Sequence, residues 1–593
     1  MIMNRSHMSQ CSRYFQMACL AFIISLTLLP VELRWGEADI WLAWTMPIIC
    51  LLGAITMFIN NDRIRVTRID LLVTAWIAYT FARAYVGNEH PCSTQLLQMF
   101  SSALLYYSLR LLMGNKDTVP HSCITICMMA CACVEATIGL QQMACGTSRH
   151  HLFALTGTFL NPGPYSAFLM TGSVAGLAVW QQSKSLLTGI SERWKGIASI
   201  CLKTACLLPL IVMPATWSRA AMVSTGICAL WICHKQYWRY RYATWGAIAV
   251  ALLAFYFVKR GSADGRVAIW AASLTSWMHS PWLGVGIGGF RHACAEGIAE
   301  IWHSHPSTSL FESAGVTEYA YNELIKVLVE QGTAGALICV SLTSMVMCRL
   351  YKQSRPLFAA MLSLMTFSMF SYPFETTPYR IIIVAAGAWS ASSRSTADGS
   401  FNKGNAIHPF SASGICIIFT AMALSASSLI IAKEIGRRKD IDKEMALFSS
   451  MHNAVFIKDY YELMPDAMDN PQFLFDFGMT LRDSGRYRDS NAVLRQGTLV
   501  SADPIFYVLM GNNYKDEKYY RLAEASYNKA YSIMPNRLYP LYKLMLLYDE
   551  TGYKERCRAM ASRVMREKSK IESPATEEMR RKAEILLNKY RKE

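Results

Sequence analysis

Residues able to do chemistry gather in four polar islands, each set at the edge of a long apolar run. The first is Gly157-Thr158-Phe159-Leu160-Asn161-Pro162-Gly163-Pro164, whose glycines and prolines suit an irregular backbone around Asn161. The second, Thr216-Trp217-Ser218-Arg219-Ala220-Ala221, places Arg219 at the start of an apolar segment. A charge at that depth is costly and faces a polar cavity or a partner. The third opens with Asp264-Gly265-Arg266 and Trp270 and continues through Pro281-Trp282-Leu283-Gly284-Val285-Gly286-Ile287-Gly288-Gly289-Phe290. This glycine run is no nucleotide loop, because no strand precedes it and no phosphate-binding lysine follows. The fourth is Glu318-Tyr319-Ala320-Tyr321-Asn322-Glu323-Leu324, leading to Glu330-Gln331-Gly332. Glu323, Lys326 and Glu330 fall three and four apart, on one helical face. Cys123, Cys127 and Cys131 also share a face, but they lack neighbouring His or carboxylate ligands. They read as small packing residues, so no metal and no cofactor is expected.

The elements that must position these islands are membrane helices. The chain is 53% hydrophobic and 17% charged, with 15 Trp and 29 Tyr to anchor a bundle at its interfaces. A hydrocarbon core of ~30 Å takes ~20 helical residues to cross. The reading is an all-α polytopic bundle of about 12–13 spans, near 14–31, 40–59, 69–86, 96–113, 122–143, 165–180, 197–215, 219–234, 243–258, 322–348, 356–373, 379–392 and 411–432. Alternate loops are rich in Lys and Arg, with Arg63, Arg65 and Arg68 in one and Lys235, Arg239 and Arg241 in another. Those loops and the N-terminus face the cytoplasm. The four islands then share the opposite, non-cytoplasmic face, the third lying within a long loop over 259–321. The net charge of +16 sits largely in the short basic loops, so the chain needs no nucleic acid to explain it.

Residues 1–432 form the membrane domain, 433–470 a linker helix and 471–593 a polar helical tail. The tail repeats weakly: Gly485-Arg486-Tyr487, Lys518-Tyr519-Tyr520 and Gly552-Tyr553-Lys554 recur 33 and 34 residues apart, each between two amphipathic patterns. That period resembles tetratricopeptide repeats, helical hairpins that stack and bind protein partners. An odd number of spans puts the tail outside the cytoplasm. The basic stretch Lys433–Lys439 would then lie on the unexpected side.

The four islands, in this order, resemble the O-antigen ligase and polymerase family of envelope transferases. The matching elements are Gly-Thr-Phe…Asn-Pro, Ser-Arg at a span start, Gly-Arg…Trp with Pro-x-x-Gly-x-Gly…Phe, and Asn-Glu-Leu…Glu-x-Gly…Gly, covering roughly residues 40 to 392. The resemblance implies a metal-independent glycan transferase. It would move an oligosaccharide or polysaccharide from undecaprenyl diphosphate to a hydroxyl of lipid A core, a growing glycan or a protein. It implies catalytic roles for Arg219, Arg266 and Tyr321, and substrate contacts for Asn161, Ser218, His303, His305, Asn322 and Glu323. Arginines suit the task, since charge develops on a departing diphosphate and their forked donors match it. Many ligases carry His-Asn where this chain has Tyr321-Asn322. Tyrosine, with an ordinary pKa near ~10, is a poor base at neutral pH. Either Tyr321 only positions substrate, or His303, His305 or Glu323 takes the acceptor proton, or the acceptor chemistry differs. A lipid-linked glycan transporter is the competing class. It would show an internal repeat across the membrane domain, and none is visible.

Overall fold

The computed structural model describes residues 5–31, 35–59, 66–114, 120–150, 152–182, 191–234, 238–243, 246, 250, 257, 260–304, 315–392, 414–449, 454–567, 569 and 572–590. These residues are predominantly helical, and no β-strand occurs among them. The membrane domain comprises α1 (Arg5–Ser25), α2 (Glu37–Ile59), α3 (Arg68–Tyr85), α4 (Ser93–Met113), α5 (His121–Cys145), α6 (Pro162–Gln181), α7 (Glu192–Val212), α8 (Arg219–Ile232), α9 (Arg260–His279), α10 (Phe290–Ser304), α11 (Glu323–Gln353), α12 (Arg355–Ser368), α13 (Thr377–Ser392) and α14 (Gly414–Ser449). Every expected span except 243–258 coincides with one of α1–α8 or α11–α14; that one lies almost wholly outside the described residues. Among the described residues, α1, α2, α4, α5, α7, α11 and α14 are long and apolar enough to cross a membrane. The long loop is not bare, since it carries α9 and α10.

Packing follows composition. α6, rich in Gly, Ala and Ser, is buried along almost its whole length and packs against α5, α7, α8 and α12. Small side chains let helix backbones approach where lipid supplies no hydrophobic drive. At the basic-loop end, Asp70 closes a capping box with Thr67, accepts from the Tyr106 hydroxyl at 2.8 Å and pairs with Arg110 at 2.9 Å. Arg110 continues to the Gly114 carbonyl and the Ser392 hydroxyl. Every side of this buried charge is met.

At the opposite end α11 is broken at Gly332, whose φ of 67° only glycine adopts readily. The break frees backbone groups, and the Pro281–Gly286 turn fills it. Val285 N donates to Val329 O at 2.8 Å, Gly286 N to Glu330 O at 3.0 Å, and Thr333 N to Pro281 O at 2.8 Å. A Cβ on Gly332 would collide with the Trp282 carbonyl. Arg83 then donates to the carbonyls of Leu283 and Gly284. The glycine run of the third island is thus a backbone plug, holding the loop to the helix that carries the fourth.

The last apolar helix continues past the expected span end at 432. α14 runs 36 residues without a break, so the first part of the expected linker helix, as far as Ser449, is its continuation, and α15 (Ile457–Ala467) forms a separate second part. Arg437 pairs with Glu434 and Asp466, Arg438 with Glu434, and Lys439 with Glu37. These acids neutralise the basic stretch that looked misplaced. The tail consists of three helical hairpins and a closing helix: α16 (Pro471–Asp483) with α17 (Tyr487–Val500), α18 (Ile505–Asp516) with α19 (Tyr520–Ile533), α20 (Leu538–Glu550) with α21 (Lys554–Arg566), then α22 (Pro574–Lys589). Each hairpin turns through a left-handed residue, at Gly485, Lys518 and Gly552, the three positions of the sequence repeat. Ala523, Tyr527 and Ala530 are fully or almost fully buried between paired helices.

The tail packs against the same end of the bundle as the islands. Lys529 pairs with Glu296 at 2.5 Å, His292 Nδ1 bonds to Thr498 O at 2.8 Å, and Ser93 donates to Asp469 at 3.0 Å. Ala295 and Ala299 of α10 share a small apolar contact with Ala502 and Ile533.

Candidate active site

The site begins with how the chain enters α11. Trp270 of α9 donates its indole N–H to the Ala320 carbonyl at 2.9 Å, fixing the backbone just before Tyr321. Tyr321 is left-handed, with φ 50°, a conformation that is uncommon and costly for a bulky residue. Asn322 follows as the N-cap, its Oδ1 accepting from Leu324 N and Ile325 N at 3.0 and 3.1 Å. The strained turn and the cap together aim the Tyr321 ring.

The guanidinium of Arg266, on α9, lies over that ring at 5.1 Å from its centroid. Tyr319 stacks on Tyr372 at 3.8 Å, and both rings stand edge-on to Tyr321. Arg219, at the start of α8, comes close enough to Arg266 to act on its charge. Burial first, and then Arg219, hold Arg266 below the ordinary arginine value, while Tyr321 works against them. Among the described residues no carboxylate pairs with Arg266. Burial lifts the Tyr321 phenol above its ordinary value, against the pull of Arg266, and lifts Tyr319 to about 12. Ser218 is the N-cap of α8, and its side chain makes no capping bond.

Next to this cluster lies a cleft of about 430 Å³, lined in part by Asn161, Arg291, Glu318, Tyr319, Lys326 and Glu330 and, from the tail, by Asp469 and Pro471. Arg219 and Arg266 are not on its wall; the Tyr319–Tyr372 stack stands between cluster and cleft. Lys326 does not pair within its own helix but with Glu375 from the turn before α13. Burial would raise the Glu375 carboxyl, yet Lys326 holds it below the ordinary carboxylate range. Glu323 accepts from Phe374 N at 3.0 Å. Asp39 pairs with Arg380 at 2.9 Å beside the same turn.

The structure therefore gathers Arg219, Arg266, Tyr321 and Asn322 at one point, with Glu323 just behind them, and places Asn161 across the cleft. Asn161 and Asn322 both spend a side-chain oxygen on a helix start, Asn161 accepting from Gly163 N at 2.9 Å. The pattern of Asn before Pro or Glu at a helix start could have shown this. His303 is exposed at the far end of α10 from Arg291, beside Trp302, which packs on Tyr531 of the tail. It joins neither cluster nor cleft, and His305 lies outside the described residues. Sequence reasoning passed over Arg291, Glu375 and Arg380. The signal that singled out Arg219, a cation on the face poor in Lys and Arg, applies equally to Arg291 and Arg380. Among the described residues no three His, Cys, Asp or Glu side chains converge as a bound metal would need.

No curated protein matches the chain. The O-antigen ligase family model matches residues 204–340. That span holds Arg219, Arg266, Tyr321, Asn322 and the break at Gly332. The match supports a ligase-like, glycan-transferring function in a multi-pass membrane protein, and residues 204–340 are similar to the O-antigen ligase family.

Proposed function

We propose that this protein moves a glycan from undecaprenyl diphosphate to an acceptor hydroxyl, with inversion, at the periplasmic face of a bacterial inner membrane. The observation that carries the reading is Arg266: partly buried, without a carboxylate partner among the described residues, beside Arg219 and inside the matched region. A cation held in that way is costly unless an anion arrives to meet it. As the bond from the anomeric carbon to the diphosphate oxygen breaks, its electron pair stays on that oxygen. Two guanidiniums placed there stabilise the departing charge. Tyr321 positions substrate. Its raised phenol keeps its proton at neutral pH and can donate, but not act as a base.

The tail, a stack resembling tetratricopeptide repeats, is then periplasmic too, because it packs on the face that bears the cluster. Lipid A core, a growing glycan and a protein hydroxyl all remain chemically competent acceptors. A tail that helps to line the cleft favours one that a protein module can guide, such as a protein segment.

Purified wild type should release undecaprenyl diphosphate from a lipid-linked glycan. Arg219→Ala and Arg266→Ala should each lower that release on the order of 100-fold or more while still inserting and accumulating. Lysine at either position should restore part of it, keeping charge without the fork. Full activity in both alanine variants would remove them from the site. Movement of donor between leaflets without release of the diphosphate would indicate a transporter instead.

A further inference from the structure

We infer that Glu318 is the group that takes the proton from the acceptor hydroxyl. The inference rests on the transfer reading above and supplies what that reading lacks, a base. When the acceptor oxygen attacks the anomeric carbon, the carbon–oxygen bond to the diphosphate breaks and the acceptor O–H proton must go elsewhere. A carboxylate can receive it, and a phenol that is still protonated cannot.

Apart from Glu330, taken up below, the other carboxylates near the cluster are already committed. Glu375 is paired with Lys326, Asp39 with Arg380, and Glu323 accepts a backbone N–H from Phe374. Glu135 accepts from the Thr158 hydroxyl at 2.6 Å. Of the histidines, His150 borders the cleft, but its Nδ1 accepts from Leu152 N at 3.1 Å. The neutral ring therefore carries its proton on Nε2 and offers no free lone pair there.

Glu318 differs on each count. Its side chain is exposed and, among the described residues, makes no hydrogen bond and no ion pair. Its backbone is held all the same: Arg291 Nε donates to the Glu318 carbonyl at 3.3 Å, and the Ala320 carbonyl is held by Trp270. The result is a free carboxylate on a fixed stem. It acts electrostatically on Tyr319, Tyr321 and Tyr372, so Tyr321 is the common neighbour of Glu318 and Arg266.

Its position also gives the acceptor a route. Glu318 and Tyr319 line the cleft, the small void beside Tyr321 and Asn322, and a wider groove of about 1110 Å³ that opens between loop and tail. The groove is walled by Phe475, Asp476 and Asp503 of the tail and by Lys439 of α14. A hydroxyl entering along the tail meets Glu318 before it reaches the Arg266 cluster.

Glu330 is the rival. It is buried, borders the cleft, and its Oε1 lacks a hydrogen-bond partner among the described residues. It lies near Lys326 and Cys92, however, and the small void beside Tyr321 and Asn322 is lined by Glu318 and not by Glu330.

The test uses the purified full chain with a lipid-linked glycan from the producing cells, offering two nucleophiles. One is the hydroxyl acceptor present in those cells' envelope fraction, and the other is sodium azide. Azide is already an anion, attacks through nitrogen and needs no base. Glu318→Ala and Glu318→Gln should lower transfer to the hydroxyl on the order of 100-fold or more, the usual worth of a general base. Formation of glycosyl azide should stay within about threefold of wild type. Arg266→Ala should lose both. Equal loss of both reactions in the Glu318 variants, or loss of neither, overturns the assignment. So does Glu330→Gln showing the hydroxyl-selective loss in their place. A wild type that releases no undecaprenyl diphosphate with either nucleophile would fail the transfer reading itself, which the Glu318 variants alone cannot do.

Discussion

The two ends of the bundle are built from the same chemistry and put to opposite ends. At the basic-loop end, Arg110 meets Asp70, Gly114 O and Ser392, and Tyr106 adds its hydroxyl to the carboxylate. At the other end, Arg266 meets the face of Tyr321 and a second arginine. The first arrangement satisfies each charge from within the protein. The second leaves a cation facing a ring, with tyrosines around it and, among the described residues, no acid paired to it. An arginine matched by the fold holds helices together, and one left unmatched is held for something that binds.

That contrast can be broken. The largest effect should come from the closed end. Asp70→Ala strands Arg110 in the interior and should cost about 3–5 kcal/mol, the range for removing one partner of a buried pair. Thermal unfolding in detergent would read it as a lower midpoint and lower accumulation, with turnover per folded molecule unchanged. Arg266→Ala should do the reverse, leaving the midpoint and removing the turnover. If Asp70→Ala removed turnover without loss of stability, the two ends could not be told apart in this way.

A smaller effect is expected at the break in α11. Gly332→Ala forces a left-handed alanine against the Trp282 carbonyl. A cost of about 1–3 kcal/mol follows. Because the Pro281–Gly286 turn is bound to that break, turnover should fall together with the midpoint, unlike either arginine end. The smallest effect belongs to the seam. Lys529 and Glu296 are partly exposed, so Lys529→Ala should weaken tail docking by no more than about 1 kcal/mol. Hydrogen exchange over α10 would register the loosening. Lys529→Glu combined with Glu296→Lys should reverse it.

The apolar runs disclosed the bundle because a span has no polar stripe to hide. The four islands disclosed the site because charge is conspicuous where it is costly. The hairpins of the tail showed through residues 485, 518 and 552, which share one backbone conformation, although Lys518 takes it where the other two are glycines. What stayed hidden is what depends on distance along the chain. Glu375 pairs with Lys326 49 positions away, and Asp469 reaches Ser93 across 376. No local pattern encodes either. Glu318 was in view within the fourth island, yet nothing in the sequence could say that Glu323 and Glu375 would be occupied and Glu318 free.

The unbroken course of α14 has a mechanical consequence. At 1.5 Å per residue its 36 residues extend about 54 Å, and a hydrocarbon core takes only ~30 Å of that. The remainder is a rigid post, clamped at Glu37 and Asp466, on which the tail is mounted. The tail's height above the lipid is fixed by a residue count, and so is its bearing: one residue added within the post would swing the tail by about 100° and carry Lys529 away from Glu296. Bundle and tail are thus held in one register by a continuous helix and by the Lys529–Glu296 pair.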